Sequence, residues 1–323
     1  MDLYEVDAVT VTVLVENTVD VLQPGSRGVQ RVAPRADAFE RPALRAEHGY
    51  ALLLRVRRNG AEASVLYDGG LSRDGLIHNM DVLEARAGDL RALVLSHGHA
   101  DHHGGLEGLL RRLSKPGLPL VLHPDVWRER RITFPTGVSV RMPPPSQADL
   151  EREGVEVLAE RGPTLLLDKT VLVTGQVERQ TPFERGFPWQ ESRTATGGWE
   201  PDPWVWDDQA IVVNLRDRGL IVLSGCSHAG AVNVVRQAMR VTGIDRLHAF
   251  VGGMHLSGPL FDAAVSPTVA AFAGWQPDVL MPGHCTGWRA LHELAIALPH
   301  AFVPTGVGTT LVFGDETRGG THA

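Results

Sequence analysis

One rhythm limits how this chain can fold. An apolar run rich in β-favouring residues leads into a histidine-bearing turn and then into a helical pattern, and this happens four times. The runs are Leu90–Leu95, Leu220–Leu223, His248–Val251 and Val279–Met281. The helical patterns that follow are Leu106–Leu113, Ala231–Val241, Ala263–Ala273 and Trp288–Leu298. Strands alternating with helices form α/β layers. In such layers the functional loops collect on one edge, where strands end. The repeated turns are therefore expected to meet.

The first turn carries the most chemistry. Across Ser96 to Gly105, four histidines and an aspartate fall within seven residues: His97, His99, Asp101, His102 and His103. Neutral imidazoles and a carboxylate are ligands that Zn²⁺, Fe²⁺ and Mn²⁺ accept. On a tight strand-to-helix turn, His97 and His99 can point one way while Asp101 and His102 fold back the other. Two ligand pairs diverging from one turn predict two adjacent metals rather than one. A solvated polar turn is the alternative, but such a turn rarely carries four histidines flanked by glycines.

The cluster reads His97-x-His99-x-Asp101-His102. Further along come Gly225-Cys226-Ser227-His228-Ala229-Gly230, Gly252-Gly253-Met254-His255-Leu256 and Pro282-Gly283-His284-Cys285-Thr286-Gly287. Together these motifs resemble the metallo-β-lactamase superfamily. The branch they resemble is described as 7,8-dihydropterin-6-yl-methyl-4-(β-D-ribofuranosyl)aminobenzene 5′-phosphate synthase-like. The resemblance runs from about Val11 to about Phe313. It implies an α/β fold in four layers, an αββα sandwich, with metals at the sandwich edge. It also implies two divalent metal ions, zinc first, with iron or manganese as alternatives. By this resemblance His97 and His99 hold one metal, completed by His228. Asp101 and His102 hold the second, completed by His284. Asp68 orients a metal histidine. His48, His78 and His123 fall where the family has histidines and are candidates for the pocket wall.

The chain departs from better-known hydrolase branches at two places. Thr174-Gly175-Gln176-Val177 stands where a Pro-Gly-His-Thr turn is usual. Ser224-Gly225-Cys226 stands where a bridging aspartate is usual. Either Cys226 substitutes as a metal ligand or it is a small buried thiol at a tight turn. His255 follows a Gly-Gly turn and is a candidate proton donor, substrate contact or ligand.

Between these motifs, strands are expected at Ala8–Val15, Tyr50–Arg57, Ser64–Tyr67, Pro119–Leu122, Ala210–Leu215, Ala301–Val303 and Thr309–Phe313. Asp74–Ala87 reads as a helix, and Ser146 caps a short one to Glu153. Val155–Leu158, Thr164–Leu167 and Val171–Val173 suggest an antiparallel meander. Thr18–Glu47 reads as a long surface loop and Gly314–Ala323 as a frayed tail. Phe187–Trp206 holds four of the seven tryptophans and is either a lid over a flat heterocycle or a loop packed on its own aromatics. His103, His292, His300 and His322 read as ordinary residues, and His248 as a structural one.

The chain reads as a single domain spanning residues 1–323. A net charge of −7 argues against a nucleic-acid partner. No apolar run approaches the ~20 residues of a membrane helix. The start Met1-Asp2-Leu3-Tyr4-Glu5 lacks a signal peptide's basic region, so a cytoplasmic protein with a small-molecule substrate is expected; nothing in the residues assigns an oligomeric state. The function expected is a metal-dependent hydrolase with Asp101 and His255 in catalytic roles. It would activate water against a phosphorylated, ester or lactone molecule, pterin- or ribosyl-aminobenzene-like. The alternative is a di-iron oxidoreductase.

Overall fold

In the strand Ala8–Val15, residues of opposite parity enter different cores up to the register shift between Val13 and Val15. Val9, Val11 and Val13 join one cluster of buried side chains, while Leu14 joins another. The same division holds in Ala51–Arg58, where Leu52, Leu54 and Val56 face one way and Ala51 and Leu53 the other. A strand buried on both faces lies in the middle of a layered structure. The computed structural model describes residues 1–33, 36–37 and 40–314.

Two sheets result. The first has eight strands, in the order Glu156–Ala159, Pro119–Leu122, Leu90–Val94, Ala61–Tyr67, Ala51–Arg58, Ala8–Val15, Thr310–Gly314 and Val29–Gln30. The second runs Thr164–Leu166, Val171–Val173, Ala210–Leu215, Gly219–Ser224, Leu247–Gly253 and Val279–Gly283, with Glu5–Val6 added beside Ala210–Leu215. Between the sheets lies a core of Val11, Leu54, Val65, Tyr67, Ile211, Ile221, Val251, Met281 and their neighbours. A second core fills the space between the first sheet and the helices Gly75–Val82 and Leu106–Leu113. A third fills that between the second sheet and Ala231–Thr242, Asp262–Trp275 and Trp288–Ala297. This is the αββα sandwich. Each fully buried valine or leucine stabilises it by about 1.5–3 kcal/mol.

Each of the four strands that end in histidine turns has a parallel neighbour, one strand in the first sheet and three in the second. Leu90–Val94 pairs parallel with Ala61–Tyr67 and Pro119–Leu122, and Gly219–Ser224, Leu247–Gly253 and Val279–Gly283 pair parallel in succession. Parallel strands end on the same edge, which is why the turns converge.

Several local expectations change. The meander does not form: Glu156–Ala159 pairs parallel with Pro119–Leu122 in the first sheet, while Thr164–Leu166 and Val171–Val173 make a hairpin in the second. Alternating short runs carry no information about which sheet they join. The helix expected over Asp74–Ala87 is confined to Gly75–Val82. Residues 301–303 contribute only an isolated bridge between Phe302 and Leu280. Within Thr18–Glu47 the short strand Val29–Gln30 pairs with Thr310–Gly314. Ser146 does cap Gln147–Arg152, its Oγ accepting from Asp149 N at 3.3 Å. The tail from residue 315, with His322, and Pro34 lie outside the described residues.

The tryptophan-rich segment gains strands of its own. Gln190–Arg193 and Trp199–Pro201 join Arg130–Thr133 and Ser139–Met142 in a separate four-stranded sheet. Trp199 lies there under the guanidinium groups of Arg131 and Arg193.

Candidate metal centre

Three of the four histidine turns are held from behind by a buried carboxylate that accepts from a main-chain N–H; in the third, Met254 N donates to Thr286 Oγ1 instead. For the first turn the carboxylate is Asp207, which accepts from Gly98 N at 2.8 Å, between His97 and His99. Asp207 is itself gripped by both terminal nitrogens of Arg130, at 3.1 and 2.6 Å, and Arg130 Nε donates to Asp202 at 2.9 Å. Gly98 is required here by close approach, since a Cβ would come within 2.3 Å of the Val126 carbonyl. Asp208, the next residue, accepts from Ala229 N at 2.9 Å and so secures the turn of His228. Glu16 accepts from His284 N at 3.0 Å, and Asn17 Nδ2 donates to the His284 carbonyl at 2.9 Å. Asp68 accepts from Ser96 N and Ser96 Oγ, both at 2.7 Å, and from the Nδ1 of His102 at 2.6 Å.

Backbone strain collects at the same place. Asp68, Ser227, His255 and His284 adopt φ of 63°, 57°, 48° and 49°. Non-glycine residues take this left-handed conformation at a cost, and it persists where surroundings over-determine it. Here it turns side chains at strand ends into the shared edge.

The result is a compact cluster of donors. Four overlapping groups have their ligating atoms within 4.8 Å of one another: His97, His99 and His228; His97, His102 and Cys226; Cys226, His284 and Cys285; and His48, Asp101 and His284. His97 Nε2 lies 3.1 Å from His99 Nδ1, and the His228 ring is 4.7 Å from each of theirs. Asp101 Oδ2 stands 3.2 Å from His284 Nε2 and 3.6 Å from His102 Nε2. Cys226 Sγ is 3.2 Å from His102 Nε2. The expected ligands are thus all brought together.

Whether this cluster suits a metal can be judged from its unpaired atoms. His99 Nε2 and both ring nitrogens of His228 and of His284 are buried without a hydrogen-bond partner. His284 Nε2 is near Asp101 but outside hydrogen-bond geometry. Buried polar atoms are normally satisfied, and each orphan costs about 1–3 kcal/mol. Several orphans on adjacent imidazoles, with a carboxylate and a thiol among them, fit a divalent ion.

The electrostatics agree. Burial, reinforced by neighbouring imidazoles, pushes His97 and His228 well below the ordinary imidazole range. Burial and then Arg130 bring His99 to about 3. Neutral imidazoles are the form that metals bind. His102 is the exception: burial opposes its charge, but Asp101 and Asp68 outweigh burial and raise it to about 9. Asp101, despite burial, is held below the usual carboxylate range by His102 and His284.

Other expected residues divide. His255 lies beside His228, ring centres 4.1 Å apart, with Phe261 and Phe187 at 4.7 and 5.9 Å. Burial lowers it to about 4. His48 sits at the mouth, its ring stacked 5.1 Å from His284 and its Nε2 3.8 Å from Asp101. His78 instead ties down the Ala43 carbonyl at 2.7 Å, and His123 caps the short helix Pro124–Trp127. Neither belongs to the four ligand groups. His248 pairs with Asp278 at 2.6 Å, a structural place. Of the tryptophan-rich segment, Phe187 reaches His255, while Trp204 and Trp206 pack on each other at 6.1 Å. Sequence reasoning passed over Glu16, Arg130, Asp207 and Asp208 as anchors. The adjacent acidic pair before a buried strand was the one available signal. A cavity of about 930 Å³ opens at His248, Asp278 and Arg216, and none of the residues of the four groups lines it.

An αββα sandwich with imidazoles and carboxylates gathered at one edge is the arrangement of an enzyme with candidate metal ligands. The chain belongs to the metallo-β-lactamase superfamily, which its residues 44–237 match. It is similar to the 7,8-dihydropterin-6-methyl-4-(β-D-ribofuranosyl)-aminobenzene-5′-phosphate synthase of Methanocaldococcus jannaschii. The two are 27% identical over 252 residues, 76% of this chain and 82% of that one. An uncharacterized protein of the same organism is 27% identical over 251 residues, covering 77% of this chain and 88% of its own. Among solved structures, Tm1679, described as a metal-dependent hydrolase of the β-lactamase superfamily, matches with TM-score 0.70. It is 23% identical and covers 95% of this chain and 100% of that one. That likeness is one of fold. No helix among the described residues is long and apolar enough to cross a membrane.

Proposed function

We propose that this chain, acting as one domain, is a dinuclear metal-dependent hydrolase of a small phosphorylated, ester or lactone molecule. The observation that carries the reading is the set of orphaned imidazole nitrogens on His99, His228 and His284, with the Asp101 carboxylate 3.2 Å from His284 Nε2. His97, His99 and His228 hold one divalent ion, and Asp101, His102 and His284 hold the other with Cys226 beside them. Zinc suits these donors first. Ions bound there supply hydroxide near neutral pH and polarise the oxygen of the substrate.

The chain's own residues do the rest. Asp68 fixes the His102 tautomer through Nδ1, which aims Nε2 at the centre. Asp101, kept ionised, faces His284 and His48 and orients the attacking group. His255 is neutral at pH 7 and can accept a proton or donate a hydrogen bond to a leaving oxygen. Phe187 and Phe261 form an apolar wall beside it. The name of the synthase relative contains a pterin, a ribosyl-aminobenzene and a phosphate. A flat substrate bearing an anionic group of that kind fits a wall of aromatics next to cations. Net charge −7 disfavours nucleic acid as the substrate. Two free cysteines suit a reducing, cytoplasmic compartment. The comparisons do not favour the di-iron oxidoreductase.

Metal analysis and turnover of chromogenic phosphate esters, carboxylic esters and lactones test this. About two metal equivalents are expected, with activity lost on chelation and restored by Zn²⁺ or Mn²⁺. Asp101→Ala should bring metal content toward one equivalent. Its activity should fall beyond the roughly 10–100-fold that follows loss of a group merely supporting a ligand. Two tightly bound metals retained in Asp101→Ala would sink the assignment.

A further inference from the structure

We propose that Cys285 joins Cys226 as a second thiolate donor to the second metal position, making it a mixed nitrogen, oxygen and sulfur site selective for thiophilic ions. The inference rests on the dinuclear reading above and deepens it.

Cys226 and Cys285 are the only two cysteines among 323 residues. They come from different turns, after the strands Gly219–Ser224 and Val279–Gly283, yet the fold brings them into contact. Cys226 Sγ, Cys285 Sγ and a ring nitrogen of His284 all lie within 4.8 Å of one another. Cys226 Sγ also lies 3.2 Å from His102 Nε2. With metal–sulfur bonds of ~2.3 Å and metal–nitrogen bonds of ~2.0–2.1 Å, adjacent donors around one ion stand about 3–4 Å apart. The 3.2 Å between Cys226 Sγ and His102 Nε2 lies in that range, and the donors of Cys226, Cys285 and His284 are all within 4.8 Å of one another.

A third turn makes room for the pair. A Cβ on Gly253 would come within 2.7 Å of Cys285 Sγ and 3.1 Å of Cys226 Cα. A side chain at this position would crowd the Cys285 thiol and the backbone of the Cys226 turn. The Cys285 thiol donates to the Cys226 carbonyl at 3.4 Å, a weak bond that a metal–thiolate bond readily replaces. Coordination removes the thiol proton to solvent, leaving both sulfurs as thiolates. No oxidant is needed, because both cysteines are free. Sulfur donors favour Zn²⁺, Cd²⁺ and Co²⁺ over Mn²⁺ and Mg²⁺.

The test uses the whole reduced protein in two ways. A thiol reagent should modify two cysteines in the chelated protein and neither in the zinc-loaded protein. One thiol still reactive after zinc loading overturns the inference. In the Co²⁺-loaded protein the sulfur-to-cobalt charge-transfer band in the near ultraviolet should fall by about half in Cys285→Ser. It should vanish in the Cys226→Ser, Cys285→Ser double variant. Cd²⁺ affinity should fall about tenfold or more in Cys285→Ser, with a smaller change for Mn²⁺. A full-strength band in Cys285→Ser also overturns the inference. Two equivalents of cobalt with visible bands but no sulfur band would refute the thiolate pair alone. Failure to bind metal at all would instead refute the dinuclear reading on which it rests.

Discussion

At the scale of single residues, Asp68 shows how much one carboxylate can organise. It takes three hydrogen bonds, from Ser96 N, Ser96 Oγ and His102 Nδ1, and is fully buried. Asp68→Asn keeps the size but removes the charge that holds His102 in one tautomer. We expect metal affinity at the second position to fall roughly 10–100-fold while the first position is retained. Competition with a chromophoric chelator would read this directly, and an unchanged second affinity would remove Asp68 from its supporting role. The resemblance implied that Asp68 orients a metal histidine. The geometry adds that the same carboxylate also fixes the backbone where the His97 turn begins.

At the scale of elements, the histidine turns and their carboxylate anchors differ in how legible they were. The turns stand out because histidine is rare and its spacing is diagnostic. The anchors do not, because a single acidic residue looks like any other, and Asp207 and Gly98 are 109 residues apart. Asp207 and Asp208 together clamp the two turns that carry His97, His99 and His228. Asp207→Ala would leave Arg130 buried with half its partners gone. We expect a loss of about 3–5 kcal/mol in stability, the range for breaking a buried ion pair. Chemical denaturation would measure it, and a loss under about 1 kcal/mol would show that Arg130 finds compensation. Arg130 belongs to the small four-stranded sheet, so the same variant tests whether that sheet supports the metal turn.

At the scale of the whole molecule, the buried imidazoles should shape the pH dependence of stability in the metal-free chain. His97, His99 and His228 have folded pKa values below the unfolded one. Between about 6.5 and the about 3 of His99 the unfolded chain binds more protons, so stability falls as pH drops through that window. His102 has the opposite sign. Its folded value is raised to about 9, so the stability it contributes is complete below about 6.5 and is lost as pH rises toward 9. We expect the Tm of the chelated protein to peak near pH 6.5 and decline on both sides. His102→Gln should flatten the alkaline limb and leave the acid limb in place. An alkaline limb of unchanged steepness in that variant would show that His102 does not govern it.

Local chemistry in the sequence determined the layered α/β class, the turn positions and the residue types that could bind metal. Those signals are short-range: apolar periodicity over five to eight residues, and ligands packed into one turn. Helix Leu106–Leu113 is found at the bounds expected of it for that reason. Only the tertiary structure decided which sheet each short strand joined. It also decided which carboxylate met which turn, and that two cysteines 59 residues apart would touch. Those outcomes depend on parallel strands ending at a common edge and on side chains filling one shared space. Sheet membership and side-chain partners are long-range contacts, and no local pattern in a single chain encodes them.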